Sequence, residues 1–219
     1  MKKIDYNDPN SISVCIPCYE MDGSGGKYLI ELLDSLKKQT FKNFEIIISD
    51  QSKTNEIQKI SKNYKSFNPI IYKKSSGSSA SSNMNNAMKF AKCSIIKPMF
   101  QHDKAYSESL LERISQSEFY WGAVGTLHMD GESTDLGTII SPKRSIFQPF
   151  GINKIGNASV IFFKNKNTLR FNENLTNLMD CEFYQKLYAN YGEPELIKEA
   201  LVSVRLWRGS ISSKINTAL

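Results

Sequence analysis

The feature that most narrows the fold is an alternation of strand-like and helix-like segments from residue 12 to residue 106. Ile12-Ser13-Val14-Cys15-Ile16-Pro17 alternates and carries β-branched residues, which predicts a strand ending at its proline. Leu29, Ile30, Leu32, Leu33 and Leu36 recur at helical spacing, so a helix is expected over residues 27–39. Phe44-Glu45-Ile46-Ile47-Ile48-Ser49 reads as a second strand, residues 55–64 as a second helix, and Pro69-Ile70-Ile71-Tyr72 as a short third strand. Cys93-Ser94-Ile95-Ile96-Lys97-Pro98-Met99-Phe100 is a further apolar run, and it stops abruptly at Gln101-His102-Asp103-Lys104. Strand, helix, strand, helix, strand predicts an α/β protein with a Rossmann-like, mostly parallel central sheet flanked by helices. In such sheets ligands bind at the carboxyl edge of the strands, where Asp103 would lie.

The second half reads as mixed. A helix is expected over residues 107–116, strands over 121–127, 157–163 and 200–206, and a helix over 180–191, where Phe183, Leu187 and Tyr191 are spaced four apart. Residues 130–132 and 141–151 read as turn-rich. No internal repeat breaks the pattern, and 219 residues suit a single domain spanning residues 1–219.

The 28 basic and 22 acidic residues leave a net charge of +6, with no block of five or more basic residues. That mild excess favours anionic ligands, and peripheral contact with a membrane is compatible with it; nucleic acid is not expected as a partner. No apolar run approaches the roughly 18 residues that cross a bilayer, and the first residues do not lead into a signal-peptide core. A cytoplasmic protein is expected, at most at the inner face of a membrane. Cys15, Cys18, Cys93 and Cys181 lack the spacing of a zinc site or a disulfide framework and read as small buried thiols.

Three acids, Glu20, Asp50 and Asp103, follow the ends of strands in the first half. Singly, each reads as a turn former or helix cap; converging on one edge, with Tyr19 able to stack on a flat ring, they read as a nucleotide seat. Residues 75–82, rich in serine, open a helix over 83–91 and are placed to offer backbone N–H groups to phosphates. Neither a Gly-x-Gly-x-x-Gly after the first strand nor a phosphate-loop Gly-Lys-Ser/Thr is present, which argues against dinucleotide cofactors and phosphate-loop chemistry.

The blocks Ser13-Val14-Cys15-Ile16-Pro17-Cys18-Tyr19-Glu20, Phe44-Glu45-Ile46-Ile47-Ile48-Ser49-Asp50-Gln51-Ser52, Asn85-Asn86-Ala87 and Gln101-His102-Asp103 stand in the order found in family 2 glycosyltransferases of the GT-A fold, and the chain resembles that family over residues 12–106. The resemblance implies inverting transfer of a sugar from a nucleoside diphosphate sugar, UDP- or dTDP-linked, with Mn²⁺ or Mg²⁺ on the diphosphate. It assigns Pro17, Tyr19, Glu20, Asp50 and Ser52 to the base and ribose side, places Asn85 and Gln101 near the diphosphate, and makes Asp103 the metal ligand and second acid of the family's Asp-x-Asp motif. A hard carboxylate suits either cation, and the cation offsets charge on the departing diphosphate. The chain departs from the pattern at Gln101, which stands at the first acid of that motif, and at Met84, where an arginine is common. Lys97 or Lys104 is then expected to share in neutralising the diphosphate.

Beyond residue 106, Leu178-Met179-Asp180-Cys181-Glu182 resembles the family's acceptor-side acid block, which implies that Asp180 takes the proton from an acceptor hydroxyl; Glu182 is the rival base, and a cap for the helix is the plainer role. Arg205-Leu206-Trp207-Arg208 resembles the closing block, with Trp207 where a histidine often completes the metal shell. The expectation is an inverting glycosyltransferase, with a nucleotide-sugar half over residues 12–106 and an acceptor half over 107–212. Its acceptor would be a hydroxyl of a glycan or of a lipid- or protein-linked sugar. The alternative is a nucleotide-sugar or carbohydrate-binding module that keeps the fold without turnover.

Overall fold

The structure, a computed structural model, describes residues 3–206. Its centre is a pair of parallel strands, β1 (Ile12–Cys18) and β2 (Phe44–Asp50), in which every residue is buried. A strand covered on both faces has no solvent side, so the polar residues within it are satisfied internally, as where Ser13 Oγ donates to Glu45 Oε1 at 2.7 Å. β3 (Ile70–Lys74) extends the sheet beyond β2, and β4 (Ile95–Pro98) pairs with β1 on the other side, all in parallel. The connections are α1 (Gly25–Lys37), α2 (Glu56–Asn63) and α3 (Ala80–Met88). Leu29, Leu32, Leu33 and Leu36 of α1 are fully buried, each contributing roughly 1.5–3 kcal/mol.

β1 does not stop at Pro17; it runs one residue further. Cys15 O accepts from Met99 N, so the alternate position, Pro17, faces the same side, and pairing with β4 ends at Cys15 and Pro98. The missing N–H of Pro17 therefore falls where no ladder bond is due, and the proline costs the sheet nothing.

The rest of the sheet is mixed. β5 (Lys104–Ala105), β6 (Trp121–Met129), β7 (Asp135–Ile140), β8 (Ile161–Lys164) and β9 (Glu195–Arg205) complete the spatial order β3-β2-β1-β4-β8-β6-β9-β5, with β7 paired to β6. β8 is antiparallel to β4 and β6, whereas β6 and β9 run parallel. α4 (Leu110–Ser115) and α5 (Met179–Tyr191) pack on this half. Trp121 is fully buried against Tyr184 and Tyr188 and donates its indole N–H to Gly192 O at 2.7 Å. Register between β6 and β9 shifts at Gly125, where a β-carbon would fall 2.5 Å from Lys198 O.

Several differences from the sequence reading have physical causes. The apolar run over 93–100 yields only four residues of strand. β7 lies where the sequence pattern predicts no strand, because all six of its residues are exposed and carry no alternation. In the serine-rich stretch Ser79 caps α3, its Oγ accepting from Ser82 N while Ser82 Oγ accepts from Ser79 N, so these two amides are already used. The cysteines among the described residues are free and buried, and burial pushes the Cys15 and Cys18 thiols well above their ordinary range.

Candidate active site

At the carboxyl edge of the parallel strands, Asp50 ends β2 and is fully buried. Its Oδ1 accepts from Ser52 N at 2.7 Å, and its Oδ2 from the Tyr72 hydroxyl at 2.6 Å and Lys74 Nζ at 3.3 Å. Burial, then Asp50, push the Tyr72 phenol far up, so it stays a donor. Lys74 also donates to Ser52 O, and the buried Ser52 hydroxyl has no partner among the described residues. Tyr19, just past β1, is largely exposed, as a ring waiting to stack would be. Glu20 accepts from Lys53 N, and that bond lowers its pKa.

Gln101 is buried at the end of the β4 segment, and its amide is wholly engaged. Oε1 accepts from Tyr19 N at 2.6 Å, while Nε2 donates to Tyr19 O at 3.0 Å and Gly25 O at 2.9 Å. The loop it holds is tight: a β-carbon on Gly25 would sit 2.2 Å from Tyr19 O, and Met21 and Asp22 have positive φ. Only a group that both donates and accepts makes this set of bonds, so an amide stands where the family's pattern has an acid. Asn85 is engaged in a similar way, its Oδ1 accepting from Phe171 N at 2.8 Å and its Nδ2 donating to Phe171 O and Glu173 Oε1. It pins the segment leading into α5 against α3. Asn83, which the sequence gave no reason to single out, ties α3 to the sheet edge through Ser49 Oγ at 2.6 Å and Cys18 O at 2.9 Å.

Asp103 is 1% exposed. Oδ1 accepts from Arg205 N and Oδ2 from Asn157 Nδ2, each at 2.9 Å, and His102 Nε2 lies 3.9 Å from Oδ1. The His102 ring stacks on Phe100, and burial lowers its pKa. Asp180 opens α5. Its Oδ1 is buried without a partner among the described residues, and burial raises its pKa from 3.8 to about 7. A hydrogen bond from the Ala158 backbone opposes that rise, and the charge of Asp103 adds to it. Asp103 and Asp180 are therefore within electrostatic reach of each other, with neighbouring residues 157 and 158 contacting one acid each. Sequence patterning missed Asn157 because it lies inside a stretch read as plain strand; the structure instead has a 3-10 turn, Ala158–Val160, whose first N–H groups face this seam. Glu182, the rival base, pairs with Lys186 at 2.8 Å on the same helix.

Arg205, at the end of β9, is the second residue whose role was not legible. Its guanidinium donates to His102 O, Asp130 O, Gly131 O, Ser133 Oγ and Glu31 Oε2, the last at 2.5 Å, and lies 4.2 Å from the Tyr28 ring centroid. Its backbone N–H meanwhile holds Asp103. Lys97, expected to face a diphosphate, instead points into the protein: it is fully buried, donates to Ser159 O, Ile161 O and Pro98 O, and burial lowers its pKa to about 7. Lys104 pairs with Ser203 in β5 and lines a separate cavity with Glu31 and Asp34. Trp207 lies outside the described residues.

A parallel β3-β2-β1-β4 unit with acids at its carboxyl edge, continued by a mixed half that brings in a second acid, is the GT-A fold of glycosyltransferases. Residues 13–126, just over half of the chain, match the family described as Glycosyl transferase family 2, and the chain belongs to that family. Among solved structures it is similar to S. aureus TarS 1–349, with a TM-score of 0.70 and 19% identity over 89% of this chain and 60% of that one. The crystal structure of S. aureus TarS 1–349 in complex with UDP-GlcNAc gives a TM-score of 0.69 and 20% identity, covering 91% of this chain and 60% of that one. The chain thus spans about 60% of the length of these TarS structures, and at such identity the likeness shows the fold alone. No curated protein matches it in sequence. Among the described residues no helix is long and apolar enough to cross a membrane.

Proposed function

We propose that the chain is an inverting glycosyltransferase that moves a sugar from a UDP- or dTDP-linked donor to a hydroxyl of a glycan or glycoconjugate. Residues 12–106 form the nucleotide-sugar half and 107–212 the acceptor half. The observation that carries the reading is the Asp103–Asp180 pair. One acid lies buried at the carboxyl edge of the sheet with one protein hydrogen bond on each oxygen, and the other is a partly buried carboxyl with an unpartnered oxygen and a pKa raised to about 7. A carboxylate whose pKa lies near the working pH is suited to take a proton and still be ionised beforehand.

In this reading Asp180 accepts the proton of the acceptor hydroxyl as its oxygen bonds to the anomeric carbon. The bond from that carbon to the diphosphate breaks on the opposite face, and the nucleoside diphosphate leaves with its electron pair. Tyr19, Glu20, Asp50, Ser52 and the end of β1 at Pro17 surround the base and ribose, with Lys74 as the cation nearest that seat. That the TarS crystal form holds UDP-GlcNAc on the same fold supports a uridine donor here.

Each Asp103 oxygen accepts one protein hydrogen bond and retains a lone pair, so its chemistry fits a hard cation such as Mn²⁺ or Mg²⁺. Asp103 is the one acid of the Asp-x-Asp position that would hold such an ion. With no cluster of three or more His, Cys, Asp or Glu ligands among the described residues, it would do so together with the diphosphate. A cation bound there supplies charge compensation for the leaving group. The committed amide of Gln101 favours the second reading, a binding module without turnover. Release of nucleoside diphosphate from UDP-sugars with Mn²⁺ separates the two. Transfer by the parent chain that drops by about 10²-fold or more in Asp180→Asn supports the enzyme. Equal, negligible release from both favours the module.

A further inference from the structure

Residues 141–156 form a closed loop beside the acceptor-side acid. Its feet are fixed: Lys143 N donates to Lys154 O at 2.8 Å, Ile155 is buried, and the Tyr184 hydroxyl of α5 donates to Gly156 O at 2.8 Å. Within the loop, buried Gln148 places Nε2 at 3.3 Å from the sulfur of Cys181, the residue that follows Asp180. A β-carbon on Gly151 would come within 3.1 Å of Leu178, two residues before Asp180.

What the loop shows outward is apolar. Phe150 is 81% exposed and Ile146 76%, and Phe147, Ile152 and neighbouring Leu178 are each about half exposed. Single exposed apolar side chains are ordinary, but five gathered on one loop and its contact mark a surface that something covers. The charge on the loop indicates what. Residues 141–156 contain Lys143, Arg144 and Lys154, all exposed, and no acid. The ion pair of Arg144 with Glu193 is mostly exposed and weakly held. Aromatic and aliphatic tips on a loop that carries three cations and no acid of its own, on a chain of net charge +6, match an interfacial anchor on anionic lipid.

We infer that residues 141–156 dock the protein on an anionic phospholipid surface, with Ile146, Phe147 and Phe150 entering the interface and Lys143, Arg144 and Lys154 facing headgroups. Because this loop touches the residues on both sides of Asp180, the docked orientation brings the base to the lipid surface, so the acceptor class is a lipid-linked sugar. The second statement rests on the transfer reading; the docking itself does not.

The test is flotation of the full chain with vesicles of phosphatidylcholine alone and of phosphatidylcholine mixed with phosphatidylglycerol, without donor or acceptor. Binding to the mixed vesicles only is expected, and the Ile146→Ser/Phe150→Ser double variant should lose it by roughly tenfold or more with unchanged thermal stability. Lys143→Ser/Lys154→Ser should weaken it by a similar factor and flatten its salt dependence. No binding to anionic vesicles overturns the inference, as does binding that the serine variants leave intact. So does a patch that proves to join two copies, read by light scattering as an oligomer that Ile146→Ser/Phe150→Ser dissolves while vesicle binding is absent. If the vesicles bind the chain but Asp180→Asn and parent transfer sugar equally poorly, docking stands and the transfer reading falls.

Discussion

Replacing Gln101 by aspartate restores the acid that the family's Asp-x-Asp motif carries, and motif logic alone says the change should strengthen a metal site. The structure says it should damage the protein. The Gln101 amide accepts from Tyr19 N at 2.6 Å and donates to Tyr19 O and Gly25 O at 3.0 and 2.9 Å, and the residue is 1% exposed. Aspartate is one methylene shorter and, ionised, donates nothing. It orphans two carbonyls and an N–H in a loop that already holds positive-φ residues at Met21 and Asp22. Leaving a buried polar group unpaired costs about 1–3 kcal/mol each, so Gln101→Asp, which orphans three, should lose roughly 3–9 kcal/mol. Gln101→Glu keeps the reach and one acceptor bond, orphans the two carbonyls, and should lose about 2–6 kcal/mol. Both are measurable as shifts in the urea midpoint, against a total stability of about 5–15 kcal/mol for a domain of this kind. Mn²⁺ titrations in the presence of UDP, at temperatures where each variant is folded, complete the assay. The reasoning is refuted if Gln101→Asp stays within about 1 kcal/mol of the parent and binds Mn²⁺ with UDP more tightly.

Titrating the parent with Mn²⁺ by calorimetry should give weak heat without UDP and a clear isotherm with it, since the diphosphate completes the ligand set around Asp103; equal binding in both conditions would place the cation elsewhere. The rate of sugar transfer should climb with pH through a midpoint near Asp180's pKa of about 7, because only the ionised carboxylate accepts the proton. A rate flat across that range removes Asp180 as base. Stability should show the opposite limb: the folded chain holds the Asp180 proton between its ordinary value of 3.8 and about 7, so stability falls as pH rises through that window. Above it, stability rises, because folded Lys97 gives up its proton near pH 7 while the unfolded lysine keeps it to about 10.5. Urea midpoints across the range should therefore be lowest near neutrality, with the acid-side limb flattened in Asp180→Asn. Arg205→Lys cannot reproduce a planar fork that bonds Glu31, His102 O and the residues 130–133 turn, and should cost about 3–5 kcal/mol, read from the urea midpoint.

The first half was legible because β1 and β2 are buried on both faces and α1 carries leucines at helical spacing, two signals that the order of apolar residues transmits. What sequence patterning could not transmit was direction. Gln101 sits at the first acid of the family's motif and Lys97 reads as a cation for the diphosphate, yet both side chains turn inward, Lys97 to the carbonyls of residues 159 and 161 and Gln101 to those of residues 19 and 25. β7 was invisible for a different reason: an exposed edge strand has no buried face to impose alternation. Asn157 and Arg205 act through contacts with residues 54 and 102 positions away, respectively, and no local pattern encodes a partner at that range.

These long-range contacts explain how a chain with one acid missing from its motif can still hold a defined site. Asp103 is fixed by the end of β9 on one oxygen and by residue 157 on the other, and the residue after 157 reaches Asp180. The two acids are thus set by a shared seam rather than by their own loops. Arg205 closes the arrangement from the far side by locking β9 to α1 and to the turn at residues 130–133. The loss of the motif's first acid therefore leaves the geometry intact, because Gln101 braces the loop of residues 19–25 and the acids are braced elsewhere. On that division of labour, Gln101 governs how the loop of residues 19–25 is held, and the 157–158 seam, one residue to each acid, governs how Asp103 and Asp180 stand towards each other.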